Sequence, residues 1–265
     1  MKKIPLKYLS LFCIILGLLI ITNINGARSA GLIKSDTYVS DFEMFDIGIT
    51  LRENGNDVGH RNYLATKDAQ DKYTVSAKWD AENSPLLTDI TNFEYGKKYV
   101  ENYDVLNSGT IDEYVRVKVY KYWIESSGSD KKVYDLDPAK IVLDFSYGDN
   151  GWILDEKETT TERTILYFKN ILETGKDTPE FLTGITVDGE IRNEYSVKKL
   201  QKGDDGYKDD GYTRYVYEYK YDGKVFCLEI EADAIQTHNA VDAAKSAWGR
   251  NINIDKATGT LSLAD

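Results

Sequence analysis

Much of the chain alternates hydrophobic and polar residues with a period of two, which is the pattern of β-strands that bury one face. It is clearest over residues 114–122, where three valines occupy one face and two basic residues share the other with tyrosines. Similar alternation runs over residues 42–51, 73–79, 164–169 and 215–221. Because turn signals separate such segments about every ten residues, they predict an antiparallel all-β fold.

The clearest hairpin prediction joins residues 215–221 to residues 224–236. Asp222 and Gly223 lie between the two segments, and an Asp-Gly pair tolerates the positive φ angles of a type I′ turn. The inward positions of the return strand are predicted to be Phe226, Leu228, Ile230, Ala232 and Ala234. Cys227, Glu229, Glu231 and Asp233 are predicted to face outward. We therefore expect this hairpin at the centre of the fold.

One helix is predicted over residues 241–248, with Asn239 as its N-cap and Gly249 at its end. The pair Asp137-Pro138 predicts a second, shorter helical turn, and residues 252–254 predict a last edge strand. No repeat of solenoid period and no linker rich in Pro or Ser interrupts the pattern. The sequence thus predicts one antiparallel β-sandwich of about 200 residues with one or two short helices, and two domains as the alternative.

Residues 1–30 have the pattern of a secretory signal peptide, because Lys2, Lys3 and Lys7 precede an apolar run and small residues follow it. The run covers residues 9–21, which is short for a membrane span of about twenty residues, so a transmembrane anchor is the less favoured alternative. We expect a secreted protein in which residues 31–265 form a single domain, located in the extracellular matrix or at the cell surface.

The composition argues against several classes of function. Loss of residues 1–30 takes the formal net charge from −11 to −15, and such a surface repels nucleic acid. His60 and His238 are the only histidines, and no His-x-x-x-His motif is present, so a catalytic zinc site is not expected. Cys227 remains alone once Cys13 leaves with the signal, and two glutamates on its strand face disfavour a thiolate nucleophile. We expect neither an enzyme nor a cofactor.

Two features leave a binding function open. Residues 203–211 predict an acidic, exposed loop with oxygen ligands of the kind that calcium prefers, but without EF-hand spacing. The chain has 20 tyrosines against 8 phenylalanines, and exposed rings on a sandwich are a common means of binding carbohydrate. The favoured interpretation is that these rings cover a sheet face, and a monomeric polysaccharide-binding module is the alternative. The rings concerned are those of Tyr114, Tyr120, Tyr122, Tyr215, Tyr217 and Tyr219.

Four segments carry a family resemblance in the same order along the chain. They are residues 42–53, residues 107–119 followed by Tyr122-Trp123, residues 151–154 with 158–161 and 166–168, and residues 230–240 followed by Ala247-Trp248-Gly249. Together they resemble the secreted TasA/camelysin family of Gram-positive biofilm matrix proteins, especially its clostridial BsaA-like branch. The last segment is the most specific match, and none is a catalytic signature.

The resemblance implies a jelly-roll-like sandwich and a structural subunit that polymerises head to tail into extracellular fibres. It also implies processing by a signal peptidase and makes other matrix components candidate partners. Some camelysin-like relatives have been described as metalloproteases, which is the least favoured alternative for this chain. In fibres of this family, an N-terminal strand of one subunit can complete the sheet of the next.

Residues 31–40 are the candidate donor strand, because they follow the predicted cleavage site and carry apolar residues near both ends. Backbone hydrogen bonds of an added strand supply affinity, and alternate side chains supply register. A frayed terminus is the alternative. The donor side chains are Leu32, Ile33, Lys34, Thr37, Tyr38 and Val39.

The resemblance to the BsaA-like branch also implies intermolecular isopeptide bonds from a lysine to an asparagine or aspartate. Such a bond needs a deprotonated amine in an apolar pocket, a carbonyl partner and a carboxylic acid nearby. Lys34 and Asn239 form the first pair to test. A solvated lysine and an ordinary helix cap are the alternative for these two residues.

Overall fold

The computed structural model describes residues 46–67, 73–76, 79–80, 86–129 and 131–264. Within these ranges the chain is mostly β, and its strand pairs are antiparallel. The strands are β1 (Gly48–Glu53), β2 (Asn56–Asn62), β3 (Leu64–Lys67), β4 (Tyr73–Ser76), β5 (Trp79–Asp80), β6 (Lys98–Tyr99), β7 (Tyr103–Asn107), β8 (Glu113–Ile124), β9 (Ile141–Phe145), β10 (Trp152–Leu154), β11 (Arg163–Phe168), β12 (Leu182–Val187), β13 (Tyr195–Lys199), β14 (Tyr215–Tyr219), β15 (Val225–Gln236), β16 (Ile252–Ile254) and β17 (Leu261–Leu263). One α-helix, α1 (Ala240–Trp248), and two 3-10 turns (Pro138–Lys140 and Gly189–Asn193) complete the described elements.

Two sheets form a sandwich, which confirms the predicted all-β fold class. The larger sheet has the order β5-β2-β1-β7-β12, and both β6 and β9 pair with β12. The smaller sheet has the order β10-β11-β8-β15. Side chains from both sheets meet in one buried core, which includes Ile49 and Val105 from the larger sheet and Val117, Leu166 and Ile230 from the smaller one.

The smaller sheet is organised around the pairing of β8 with β15. The two strands align over twelve residue pairs, from Val225 opposite Ile124 to Gln236 opposite Glu113. On β8 the three valines of the alternating pattern are fully buried in the sandwich core. On β15 the predicted inward positions Ile230, Ala232 and Ala234 are buried in the same core, so the predicted inward faces of both strands are confirmed there. Asp233, predicted to face outward, is instead buried, because it forms ion pairs with Arg116 and Arg61.

The predicted hairpin between β14 and β15 is wrong. A turn does form at Asp222-Gly223, because Gly223 has a φ of 67° and the Lys224 N–H donates to the Tyr221 carbonyl. It is not the predicted type I′ turn, which requires a positive φ at both central residues, because the φ of Asp222 is not positive. The strands on its two sides nevertheless enter different sheets, since β14 pairs with β13 and β15 pairs with β8. Pairing with β8 buries the apolar face of β15 in the core, whereas pairing with the exposed β14 would bury less apolar surface. Long-range burial therefore determines which strand β15 pairs with.

A third layer covers the outer face of the smaller sheet. Helix α1 packs Ala244 and Trp248 against this face, and the ring centroids of Trp248 and Tyr167 lie 5.4 Å apart. The hairpin of β16 and β17 closes the same cluster. Tyr114, expected among the exposed rings, is instead buried here, and its hydroxyl donates to the Gly259 carbonyl at 2.6 Å.

The helix ends differ in how well they follow the sequence prediction. Gly249 ends α1 in the left-handed region, and its N–H donates to the Ala244 carbonyl, as predicted. Asn239 precedes the helix but has a φ of 53°, and its side chain makes no cap hydrogen bond. Asp137 does cap the 3-10 turn, because its carboxylate accepts from the Ala139 N–H at 2.8 Å.

The remaining predictions divide into those that the structure describes and those that it does not. Residues 252–254 form the predicted strand, and residues 203–211 form an exposed loop between β13 and β14. Among the described residues, no helix is both long and apolar enough to cross a membrane. The predicted signal peptide (residues 1–30) and donor strand (residues 31–40) lie outside the described residues.

Truncation of Ile230 tests how much the buried face of β15 contributes to the free energy of unfolding. We expect Ile230→Ala to lower the free energy of unfolding by about 2 to 5 kcal/mol in urea denaturation, because the side chain is 6% exposed and its loss leaves a cavity. The matched control is Val197→Ala on β13, where the side chain is 50% exposed and the change should stay within about 0.5 kcal/mol. A similarly small effect at Ile230 would contradict the assigned core.

Candidate functional site

The long strand β15 lies at an edge of the smaller sheet. On one side it pairs with β8 along its whole length. On its other side, no strand within the described ranges pairs with it. At twelve residues it is much longer than β10, which has three residues and forms the opposite edge of this sheet.

Two hydrogen bonds establish which peptide groups point to this open edge. The Ala234 N–H donates to the Tyr63 hydroxyl at 3.4 Å, so it points away from β8. At the other end, the Trp123 carbonyl accepts from the Val133 N–H at 2.8 Å, so Trp123 directs its peptide away from Phe226, its partner on β15. In an antiparallel pair of strands, hydrogen-bonded and non-hydrogen-bonded residue pairs alternate. The peptide groups that point away from β8 therefore belong to the even-numbered residues of β15. Over residues 226–232, four of them have no partner in the part of the chain that the structure describes: Phe226, Leu228, Ile230 and Ala232.

A buried ion-pair network fixes the C-terminal end of this edge. Arg116 donates to Asp233 through Nη2 at 2.6 Å and to the Trp248 carbonyl through Nη1 at 3.0 Å. Arg61, from the larger sheet, pairs with the other Asp233 oxygen. Burial acts to raise the pKa of Asp233, but Arg116, Lys118 and Arg61 outweigh it and hold the pKa below its usual value. The edge is therefore fixed at Asp233, and over residues 226–232 no described residue pairs with it.

The two faces that flank the open edge differ in chemistry. The side chains of Leu228, Ile230, Ala232 and Ala234 pack in the apolar core. On the opposite face, Glu229 and Glu231 are negatively charged, and Glu231 pairs with Lys118 at 3.0 Å. An added strand would therefore meet an apolar inner face and an acidic outer face.

A second buried cluster lies where β1 begins. Glu113 is fully buried, its Oε1 accepts from the Gly48 N–H at 2.7 Å, and its Oε2 has no partner among the described residues. Burial raises the pKa of Glu113 to about 8, against the smaller, opposing effect of the Gly48 hydrogen bond. The carboxyl group is accordingly largely protonated at neutral pH.

Asn107 and Gly109 shape the pocket around this carboxyl group. The Asn107 amide is fully buried and donates to the carbonyls of Ile111 and Leu172 at 2.8 and 2.9 Å. Its oxygen accepts from the Gly109 N–H at 2.9 Å. A Cβ at Gly109 would lie 2.6 Å from the Glu113 Oε1, closer than real side chains allow, so this position requires glycine.

Sequence reasoning missed Glu113, although the signal was present. Glu113 has the same parity as the buried valines of β8, so a period of two already places it on the core face. The position of a carboxylate there conflicts with burial unless it is protonated or paired. A carboxyl group at a core position indicates a candidate functional site, and the pattern of residues 113–119 alone already shows it.

The histidines and the cysteine lie on different elements. His60 is on β2, 4.0 Å from Asp80, and His238 is exposed just before α1. Cys227 is half-buried beside Tyr122, whose pKa is raised by hydrogen bonding to the thiol and by burial. No group of three or more His, Cys, Asp or Glu side chains in the described ranges is arranged to hold a metal ion.

The proposed isopeptide pair is only half described. Asn239 is exposed, so its own surroundings do not supply the apolar pocket that lowers the pKa of a lysine. Lys34 lies outside the described residues, as do the other donor side chains Leu32, Ile33, Thr37, Tyr38 and Val39.

No family model, no curated protein and no solved structure matches this chain. The functional interpretation of the open edge therefore depends on its geometry and on the sequence.

Replacing Glu113 tests the protonated buried carboxyl. A group whose pKa is raised on folding binds its proton more tightly in the folded state, so it lowers stability as pH rises from about 4.5 to about 8. Glu113→Gln cannot ionise. We expect its melting temperature relative to the native protein to rise between pH 5 and 8 and to level off above pH 8, as measured by circular dichroism.

Glu94→Gln is the matched control, because the Glu94 side chain is 65% exposed. Its melting temperature relative to the native protein should not follow this profile. A pH-independent difference for Glu113→Gln would contradict the raised pKa.

Proposed function

We propose that the protein is a secreted, non-enzymatic subunit of an extracellular matrix fibre, in which a strand of one subunit pairs with the open edge of β15 in the next. The observation that carries this proposal is the row of four outward peptide groups over residues 226–232 with no described partner. Strand addition supplies partners for all of them.

An open edge of this length is a liability for a protein that functions as a monomer. Monomeric sheets shield their edges with short strands, prolines, bulges or a covering element, because an exposed edge templates pairing with another chain. β15 contains no proline, and its pairing with β8 runs without a bulge. A contact between this edge and a different segment of the next copy is head to tail, and such a contact generates a filament when its rotation does not close into a ring.

Residues 31–40 have a pattern that fits this acceptor. In an extended conformation, Ile33, Thr37 and Val39 share one face, and Lys34 lies on the other together with Leu32, Asp36 and Tyr38. The first face suits the apolar core beneath the edge. Lys34 would then lie on the acidic face, where its charge is opposite to those of Glu229 and Glu231.

Deletion of residues 31–40 tests strand donation. The truncated protein should remain folded, with unchanged β content by circular dichroism, and should form no fibres in electron micrographs. A synthetic peptide of residues 31–40 should bind it, because the acceptor edge is intact. Amide hydrogen exchange should then slow at four β15 residues whose N–H groups face the open edge: Phe226, Leu228, Ile230 and Ala232.

The odd-numbered residues of β15 are the internal control, since β8 already bonds their peptide groups. A scrambled peptide of the same composition controls for non-specific binding. Normal fibres from the truncated protein would exclude residues 31–40 as the donor. Protection that appears at another strand, with β15 unchanged, would exclude the proposed acceptor edge.

Covalent reinforcement is a separate part of the proposal. The Lys34 amine would displace ammonia from an asparagine carboxamide of the neighbouring subunit and leave an amide bond. If this occurs, fibres of the intact protein should give ladders on a denaturing gel, and Lys34→Arg should abolish them because a guanidinium stays protonated. Asn239→Ala identifies the acceptor: ladders that persist in this variant exclude Asn239, and ladders that persist in Lys34→Arg exclude Lys34.

A further inference from the structure

Strands β13 and β14 form an arm outside the sandwich, here called the tyrosine arm (Tyr195–Lys199 and Tyr215–Tyr219). All ten residues are exposed. One face of the arm carries Tyr195, Tyr217 and Tyr219, and the ring of Tyr195 lies 5.4 Å from that of Tyr217 and 5.5 Å from that of Tyr219. Soluble proteins rarely expose clustered rings without a binding function.

A cleft of about 230 Å³ lies at the base of the tyrosine arm. Its walls include Tyr95, Arg192, Tyr219, Asp222 and Lys224. The Asp222-Gly223 turn brings Asp222 and Lys224 to one side, while Arg192 stacks on Tyr95 with its guanidinium 5.6 Å from the ring centroid. The cleft thus combines aromatic faces with charged groups.

The polar groups of the cleft are available to a ligand. The charged ends of Asp222 and Lys224 have no partner among the described residues. Arg192 uses one amine to donate to the Tyr95 carbonyl at 3.2 Å, which leaves other N–H groups free to donate. One acceptor and several donors therefore surround the rings.

A second depression, of about 560 Å³, continues past the same tyrosine. Tyr219 lines both depressions, and the second also includes Tyr195, Ser196, Glu194 and Glu218. The first cleft is smaller than the roughly 300 to 1,000 Å³ of sites that enclose a whole drug-sized ligand. Two shallow depressions joined at one ring suit a linear polymer whose successive units cross Tyr219.

We propose that this groove binds a neutral polysaccharide. A sugar ring has an apolar C–H face that packs on an aromatic ring, and hydroxyls at its edge that both donate and accept hydrogen bonds. Such hydroxyls can donate hydrogen bonds to Asp222 and accept them from Lys224 and Arg192. The acidic residues of the second depression and the net charge of −11 disfavour an anionic polymer.

A proline-rich peptide is the competing ligand for a groove lined by tyrosines. Its prolines have no N–H group, so its backbone offers mainly carbonyl acceptors and leaves the Asp222 carboxylate without a donor. The cleft contains both a free acceptor and free donors, so it favours the polysaccharide, whose hydroxyls can both donate and accept.

Native affinity electrophoresis tests this proposal with the full chain in gels that contain a neutral β-glucan, a mannan, a galactan or an arabinan. We expect at least one polymer to retard the protein. Tyr219→Ala should weaken that retardation about tenfold in apparent Kd, the size of effect typical of removing an aromatic anchor. The retardation should change little between low and high salt, because the ligand is uncharged.

Tyr147→Ala is the matched control, because Tyr147 lies outside the groove and is 51% exposed, against 52% for Tyr219. Circular dichroism and melting temperature confirm that both variants fold, as expected for surface positions. The proposal is overturned if no neutral polymer retards the protein, if Tyr219→Ala and Tyr147→Ala behave alike, or if a proline-rich peptide binds the groove and the polymers do not. These outcomes are independent of fibre formation.

Discussion

The twelve-residue pairing of β8 with β15 is the interaction on which the rest of the structure depends. One face of this strand pair supplies the valines, Ile230 and the alanines of the sandwich core. The other face carries the ion pair between Arg116 and Asp233 and the platform on which α1 packs. The sandwich core and the cluster beneath α1 both contain side chains of these two strands. A shift in the register of β8 against β15 would therefore expose apolar side chains of both clusters at once.

The same pairing explains why β15 has an edge that no described strand covers. The core side chains of β15 pack against β8 and the larger sheet, but one row of its peptide groups points away from β8. Burial of side chains does not require both edges of a strand to be paired, whereas backbone groups at an unpaired edge still need partners, either water or another strand. The stability of the sandwich and the availability of this edge for pairing are therefore separate properties of one element.

Sequence reasoning was most successful where local pattern and tertiary burial agree. The alternating valines of β8, the inward side chains of β15 and the glycine that ends α1 follow from periodicity and backbone preference alone. It failed at the Asp222-Gly223 turn, because a local turn signal cannot decide which distant strand each flank will pair with. The candidate edge was not predictable either, since an edge is defined by the order of strands in the sheet and not by any one segment.

The tyrosine arm has a structural property that is separate from any ligand. Its two ends lie side by side, because the Lys220 N–H donates to the Glu194 carbonyl at 2.9 Å, and the sandwich core receives no side chain from the ten residues of its strands. The arm is in this sense an insertion that the fold carries without needing it. Its length and surface can change through mutation at little cost to folding, so this part of the molecule can diversify quickly while the sandwich stays the same.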